Sequence, residues 1–143
     1  VVLADCVWER FSHDILLRSI KELLARSKDA RIYMVAGLHT GRSTLVHFFR
    51  HALAIGLCLV PVPPADVWPT CTQETTALPG SEHIMELEVG GTWDEHETPY
   101  LTGQRRPFLL HRGSPDQEDE PIQVRNHWLT VSCMAWAATE ATP

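Results

Sequence analysis

The chain has 143 residues, is 44% hydrophobic and 21% charged, and carries a formal net charge of −6. This balance fits one folded domain rather than a disordered chain. The acidic charge, with no basic stripe, argues against a nucleic-acid partner. The longest apolar stretch, residues 52–62, is too short to span a bilayer and is broken by Gly56 and Pro61, so no membrane partner is expected.

Val1 to Leu3 reads as a short strand of the kind buried on both faces of a parallel sheet. The run starts at residue 1 without Met, so the chain reads as cut into a fold. No signal peptide is visible. Asp5 to Phe11 reads as the loop that follows. Ser12 is expected to cap a helix over about residues 12–27, with Ile15, Leu16, Ile20, Leu23 and Leu24 at helical spacing. Arg31 to Ala36 is a second apolar strand, followed by the glycine-rich turn Gly37-Leu38-His39-Thr40-Gly41-Arg42. Ser43 is expected to cap a helix over 44–55. Its apolar side holds Leu45, Phe48, Phe49, Ala52 and Leu53, and Gly56 is its stop. Leu57 to Val60 begins a third strand. Residues 1–60 therefore read as a βαβαβ core of two parallel crossover units.

The second half is less periodic. Residues 61–83 read as a loop or insertion. Residues 84–138 read as a terminal strand pair, Ile84 to Val89 and Trp128 to Trp136. A long loop over 92–119, acidic at its end, is expected between them. Such a pair gives a parallel sheet an antiparallel end. The expected class is α/β, with helices on both faces.

Ligands of open α/β sheets bind just outside the carboxyl ends of the strands. Asp5 at such an end can hold an amine or another cation. Trp8, three residues on, can wall a channel or face a cation. The plainer alternative is that Asp5 caps local backbone amides and Trp8 packs on the helix. His39 and Arg42 lie at the end of the second strand and are candidates for a pocket rim. The stretch from Gly37 to Ser43 also resembles a phosphate-binding loop, but it is one residue short and has Arg for Lys. Nucleotide-phosphate binding at residues 37–43 therefore stands as a third reading. His47 and His51 are four apart on one helix face, but the intervening residues lack the Glu of a zincin and no third ligand is evident, so no metal is expected. Cys6, Cys58, Cys71 and Cys133 form no zinc pattern and are expected to be reduced, in a cytoplasmic or nuclear setting. The acidic run 116–120 is most simply a solvated loop.

Several segments together resemble the C-terminal half of a class I, seven-β-strand methyltransferase. They are Ala4-Asp5-Cys6-Val7-Trp8, Phe11-Ser12-His13-Asp14, the turn from Ala36 to Arg42, Arg105-Arg106-Pro107-Phe108 and Asn126-His127-Trp128. The likeness is to the fungal nicotinamide N-methyltransferase-like proteins and the protein-lysine methyltransferases. It implies a Rossmann-like sheet of order 3-2-1-4-5-7-6, of which this chain supplies strands 4 to 7. It implies S-adenosyl-L-methionine as cofactor, with Ala4 and Asp5 on the cofactor side. Asp5 and Trp8 become the catalytic pair beside the methyl-transfer channel, and Trp8, His39 and Arg42 border the substrate, a protein amine. Trp8 stands where Tyr is common, so no hydroxyl is present there. The family's glycine-rich loop and ribose-binding acid do not occur in these 143 residues. A missing N-terminal half or a partner chain is therefore expected to complete the sheet, and the isolated chain is expected to be inactive. The alternative is a truncated or degenerate, non-catalytic binding module.

Overall fold

The longest strand organises the sheet. In this computed structural model, which describes residues 1–63, 78–91, 98–108 and 120–138, Trp128–Trp136 forms β6. The other strands are β1 (Val2–Ala4), β2 (Ile32–Gly37), β3 (Leu57–Val60), β4 (Met85–Gly90) and β5 (Tyr100–Pro107). The helices are α1 (His13–Leu23), α2 (Arg42–Ala54) and the single turn α3 (Ile122–Arg125). Along one edge β6 pairs antiparallel with β2, from Ile32 opposite Met134 to Gly37 opposite Leu129. Its other edge is shared end to end. β4 takes residues 128–131, with Met85 opposite Val131, and β3 takes 133–136, with Leu57 opposite Trp136. β1 lies parallel to β2, and β5 lies antiparallel to β4. The result is a six-stranded, mostly antiparallel open sheet in a mixed α/β fold.

β2 and β3 point the same way, as two parallel crossovers require, but do not pair with each other: both pair antiparallel with β6, which lies between them. The reason lies in the composition of β6. Thr130, Ser132 and Met134 on one side and Cys133 and Ala135 on the other are all buried, as a central strand requires. Residues 92–119 were expected as loop, yet 100–107 form β5. It is an exposed edge strand carrying Gly103, Arg105 and Arg106, and Pro107 ends it. Such edge chemistry hides the apolar alternation of a half-buried strand. Of the expected insertion 61–83, residues 64–77 lie outside the described residues, and Ser81–His83 forms a 3-10 turn.

The core occupies one face of the sheet. Along β2, Ile32, Met34 and Ala36 are buried, whereas Tyr33 and Val35 face outward. The buried residues pack with Leu17 and Ile20 of α1 and with Leu45, Phe48, Phe49 and Ala52 of α2. Fully burying each phenylalanine contributes on the order of 2–3 kcal/mol. Among the described residues both long helices therefore cover the same face, where one on each face was expected. The inward face of α1 also differs from expectation. His13, Leu17, Ile20 and Leu24 point in, while Ile15 and Leu23 are 70% and 78% exposed. The helix is rotated so that His13 meets α2. Ser12 does not cap α1. Its hydroxyl donates backward to the Glu9 carbonyl at 2.7 Å, within a 3-10 turn over Arg10–Ser12. α2 begins at Arg42, two residues before the expected start at 44, because Gly41 adopts φ 86° and makes the chain reversal.

Candidate functional site

The carboxyl ends of β1 and β2 meet in a cleft of about 290 Å³. Asp5 follows β1 and has φ 47°, a left-handed conformation that aspartate tolerates better than most residues. Its N–H donates to the Val35 carbonyl at 2.8 Å, and its Oδ1 accepts the Gly37 N–H at 3.1 Å. The carboxylate thus ties the two strand ends together through an amide 32 residues away, not through the local amides of the plainer alternative. Only Oδ1 is used in this way, and no hydrogen bond within the described residues engages Oδ2. Gly37 is needed for a local reason. A Cβ there would come within 2.7 Å of His39 Nδ1 and 3.6 Å of Asp5 Oδ1. The His39 ring therefore folds over Gly37 beside Asp5.

Ala4, Ala36 and Gly37 leave the cleft floor open because their side chains are small or absent. Leu38 and His39 form one wall, and Asn126, Trp128 and Leu129, at the α3–β6 junction, form the other. The walls are joined by Arg125. Its guanidinium donates to the Leu38 carbonyl at 2.9 Å, the His39 carbonyl at 3.2 Å and the Glu120 carbonyl at 2.9 Å. The Leu38 N–H also donates to the Trp128 carbonyl at 3.3 Å.

Behind the Trp128 wall lies a compact ion network. The Arg106 guanidinium stacks 3.8 Å above the Trp128 ring. Glu86, fully buried, accepts from Arg42 Nε at 2.6 Å and from Arg106 Nε at 2.5 Å. Glu120 accepts from Arg106 at 2.7 and 2.8 Å and from Arg42 at 3.2 Å. Two arginines and two glutamates balance in charge and hydrogen-bond one another, which buried charges require. The hydrogen bond from Arg106 holds the Glu120 carboxyl below its ordinary range, against partial burial and with further help from the charges of Arg106 and Arg42.

The expected site residues divide between these places. Ala4, Asp5 and His39 line the cleft. Trp8 does not line it; its ring is half exposed just beyond Val7, which is buried. Arg42 does not border it either, and is buried in the ion network. Sequence reasoning missed Asn126, Trp128 and Arg125 as cleft-forming residues. Trp128 opens the run expected as a strand over 128–136, and an aromatic at that strand's first residue was the signal available. Glu120, expected in a solvated acidic loop, is held by two arginines, while residues 116–119 lie outside the described residues.

The histidines expected not to bind metal are engaged elsewhere. His47 contacts His13, and His51 Nδ1 lies 2.8 Å from Asp14 Oδ1. Among the described residues no group of three or more His, Cys, Asp or Glu side chains could hold a metal ion. Cys6, Cys58 and Cys133 are free thiols, and burial pushes Cys6 and Cys133 above their ordinary range. Cys71 lies outside the described residues. No helix among those residues is long and apolar enough to cross a membrane.

Chemically, the cleft offers a carboxylate oxygen, an imidazole, a carboxamide and an indole around an apolar floor. This set suits an amine or a cationic group carried on an organic ligand. No protein family, curated protein or solved structure matches the chain.

Proposed function

We propose that this domain serves an S-adenosylmethionine-dependent methyltransferase that acts on a protein amine. The observation that carries the reading is the strand path β1-β2-β6-β3, with β6 reversed between two strands of common direction and a cleft at the ends of β1 and β2. That path agrees with order 4-5-7-6 in the family that the sequence resembles. The hairpin formed by β4 and β5 is additional to it.

The residues fit one wall of a cofactor site. Ala4, Ala36 and Gly37 give close access to the backbone, and Asp5 and Asn126 supply polar contacts. At about 290 Å³ the cleft is at the small end of ligand pockets, which run from about 300 to 1,000 Å³. Ala4 and Asp5 would hold the cofactor, which when bound supplies an electrophilic methyl group on a sulfonium. The chain's own task is to place an amine and keep water away. Asp5 Oδ2 attracts and orients the amine, and Trp8, half exposed outside the cleft, offers a flat surface to the side chain before it enters. A lysine must lose its proton before it attacks, and a desolvated cleft lowers the cost of that loss. In this reading Arg42 supports the fold behind the cleft rather than touching substrate. The same inward turn of Arg42 leaves the phosphate reading of residues 37–43 without its cation. A protein substrate, a reduced cytoplasmic or nuclear setting, and a further strand on the outer edge of β1 complete the proposal.

Calorimetric titration of S-adenosylhomocysteine tests it, on this chain and on the whole natural polypeptide. Binding by either supports the reading, and binding only by a longer polypeptide places the other cofactor wall outside these residues. No binding by either overturns the enzyme reading in favour of a non-catalytic module.

A further inference from the structure

A chain of imidazoles joins the Asp5–Trp8 segment to both long helices, and the proposed chemistry makes no use of it. His13, the first residue of α1, is fully buried. Its Nε2 lies 2.9 Å from the Val7 carbonyl oxygen, and its Nδ1 lies 2.9 Å from Nδ1 of His47 on α2. The His47 ring packs against His51, with centroids 4.2 Å apart. His13 also meets Phe48 edge-on at 5.4 Å.

The proton positions follow from the partners. A carbonyl only accepts, so His13 Nε2 carries a hydrogen. Neutral His13 then has a bare Nδ1, and His47 must donate to it from its own Nδ1–H. One added proton is tolerated, because either ring can become the cation while a single hydrogen stays between the two Nδ1 atoms. A second added proton sets N–H against N–H at 2.9 Å, and the contact must break. The surroundings discourage even the first charge. Burial is the largest influence lowering both histidines from their ordinary value of 6.5, and His51 and Arg10 add repulsion. Asp14 opposes this, but its carboxylate is engaged by His51.

We propose that His13 and His47 form a proton-limited clamp that positions the Asp5–Trp8 segment through the Val7 carbonyl and releases it when the pair is doubly protonated. His13 is thus a positioning residue. It sets where Asp5 and Trp8 sit, and α2 reports acidification to the cleft through His47. The inference concerns only the geometry of this segment and stands whether or not the cleft transfers methyl groups.

The test uses nuclear magnetic resonance on the chain itself. At pH 7.5, long-range imidazole spectra should show His13 as the Nε2–H tautomer and His47 as the Nδ1–H tautomer. Between pH 7.5 and 5, exchange of the Ser12 amide, which donates to Glu9 at 3.1 Å, should rise at least about tenfold after correction for its intrinsic rate. The amides of Met34 and Met134 in the sheet should keep their protection. His47→Gln places a carboxamide that can either donate to His13 or accept from it, so this variant should lose the acid response. The opposite tautomer of His13, an unresponsive Ser12 amide, equal loosening of the sheet, or an unchanged response in His47→Gln would each overturn the clamp. If that variant does not fold, the tautomers and the wild-type exchange pattern decide alone.

Discussion

Asp5 and Gly37 are locked together across the ends of two parallel strands, with the Gly37 N–H donating to Asp5 Oδ1 at 3.1 Å. One carboxylate thus has a structural oxygen and an oxygen left for chemistry. The two uses are separable by substitution. Asp5→Asn keeps an acceptor for Gly37 and a side chain that tolerates the left-handed φ, but removes the charge. Its stability should stay within about 0.5 kcal/mol of wild type in urea titrations. Asp5→Ala loses both the acceptor and the conformational tolerance, and should cost about 1–3 kcal/mol. In the whole natural protein, Asp5→Asn should lower methyl transfer to a lysine peptide by about 100-fold, the scale of losing a positioning contact. Unchanged turnover in that variant removes Asp5 from the mechanism.

The site was legible where chemistry sits next to a strand end and illegible where it depends on distant pairing. Asp5 and the Gly37 turn stand out because a charged residue and a glycine punctuate apolar runs. Arg42 stands beside the same glycines and therefore reads as a rim residue. Its partner Glu86 is 44 residues away, and nothing local in the sequence reveals the pair. β2 and β6 were legible because central strands are apolar on both faces. β5 was not, because an exposed edge strand looks like loop. The order of strands around β6 also escaped local reading, since strand order is set by long-range packing that local periodicity does not record.

Glu86 should be the most sensitive charge in the described structure. It is fully buried and accepts from Arg42 and Arg106. Glu86→Gln leaves Arg42, itself buried, short of its counter-charge, and should cost about 3–5 kcal/mol. Glu88, two residues along the same strand, accepts the exposed Thr102 hydroxyl at 2.6 Å. Glu88→Gln makes the same chemical change and should cost under about 1 kcal/mol. Equal effects of the two variants in urea titrations would show that the network does not support the fold.

Acid should weaken the fold in two steps of different origin. Burial lowers His13 and His47 below 6.5, so the folded chain keeps them neutral while the unfolded chain takes up protons. Their contribution is complete above about pH 6.5 and declines as the pH falls below it. Glu120 is lowered from 4.5, chiefly by its hydrogen bond from Arg106. Its contribution is complete above about 4.5 and is lost as the pH falls through its depressed value. Urea midpoints from pH 8 to pH 3 should record both declines. Glu120→Gln should remove part of the lower decline and leave the upper one. A variant profile parallel to wild type over the whole range would contradict the assignment of the lower step.

Two hydroxyls in β6 run against the interest of the fold. Thr130 and Ser132 are fully buried on the helix-covered face, and neither hydroxyl has a hydrogen-bond partner among the described residues. An unsatisfied buried hydroxyl costs roughly 1–3 kcal/mol. Thr130→Val preserves shape and removes that cost, and should raise stability by about 1 kcal/mol. Ser132→Ala removes the same cost but leaves a small void beside Met34, its partner across the β2–β6 pair, so its gain should be smaller. Denaturant titration of each variant, with unchanged slope, measures the difference. Destabilisation by more than about 1 kcal/mol in either variant would mean that its hydroxyl is satisfied by a buried water, which such a polar pair two residues apart on one strand face could share.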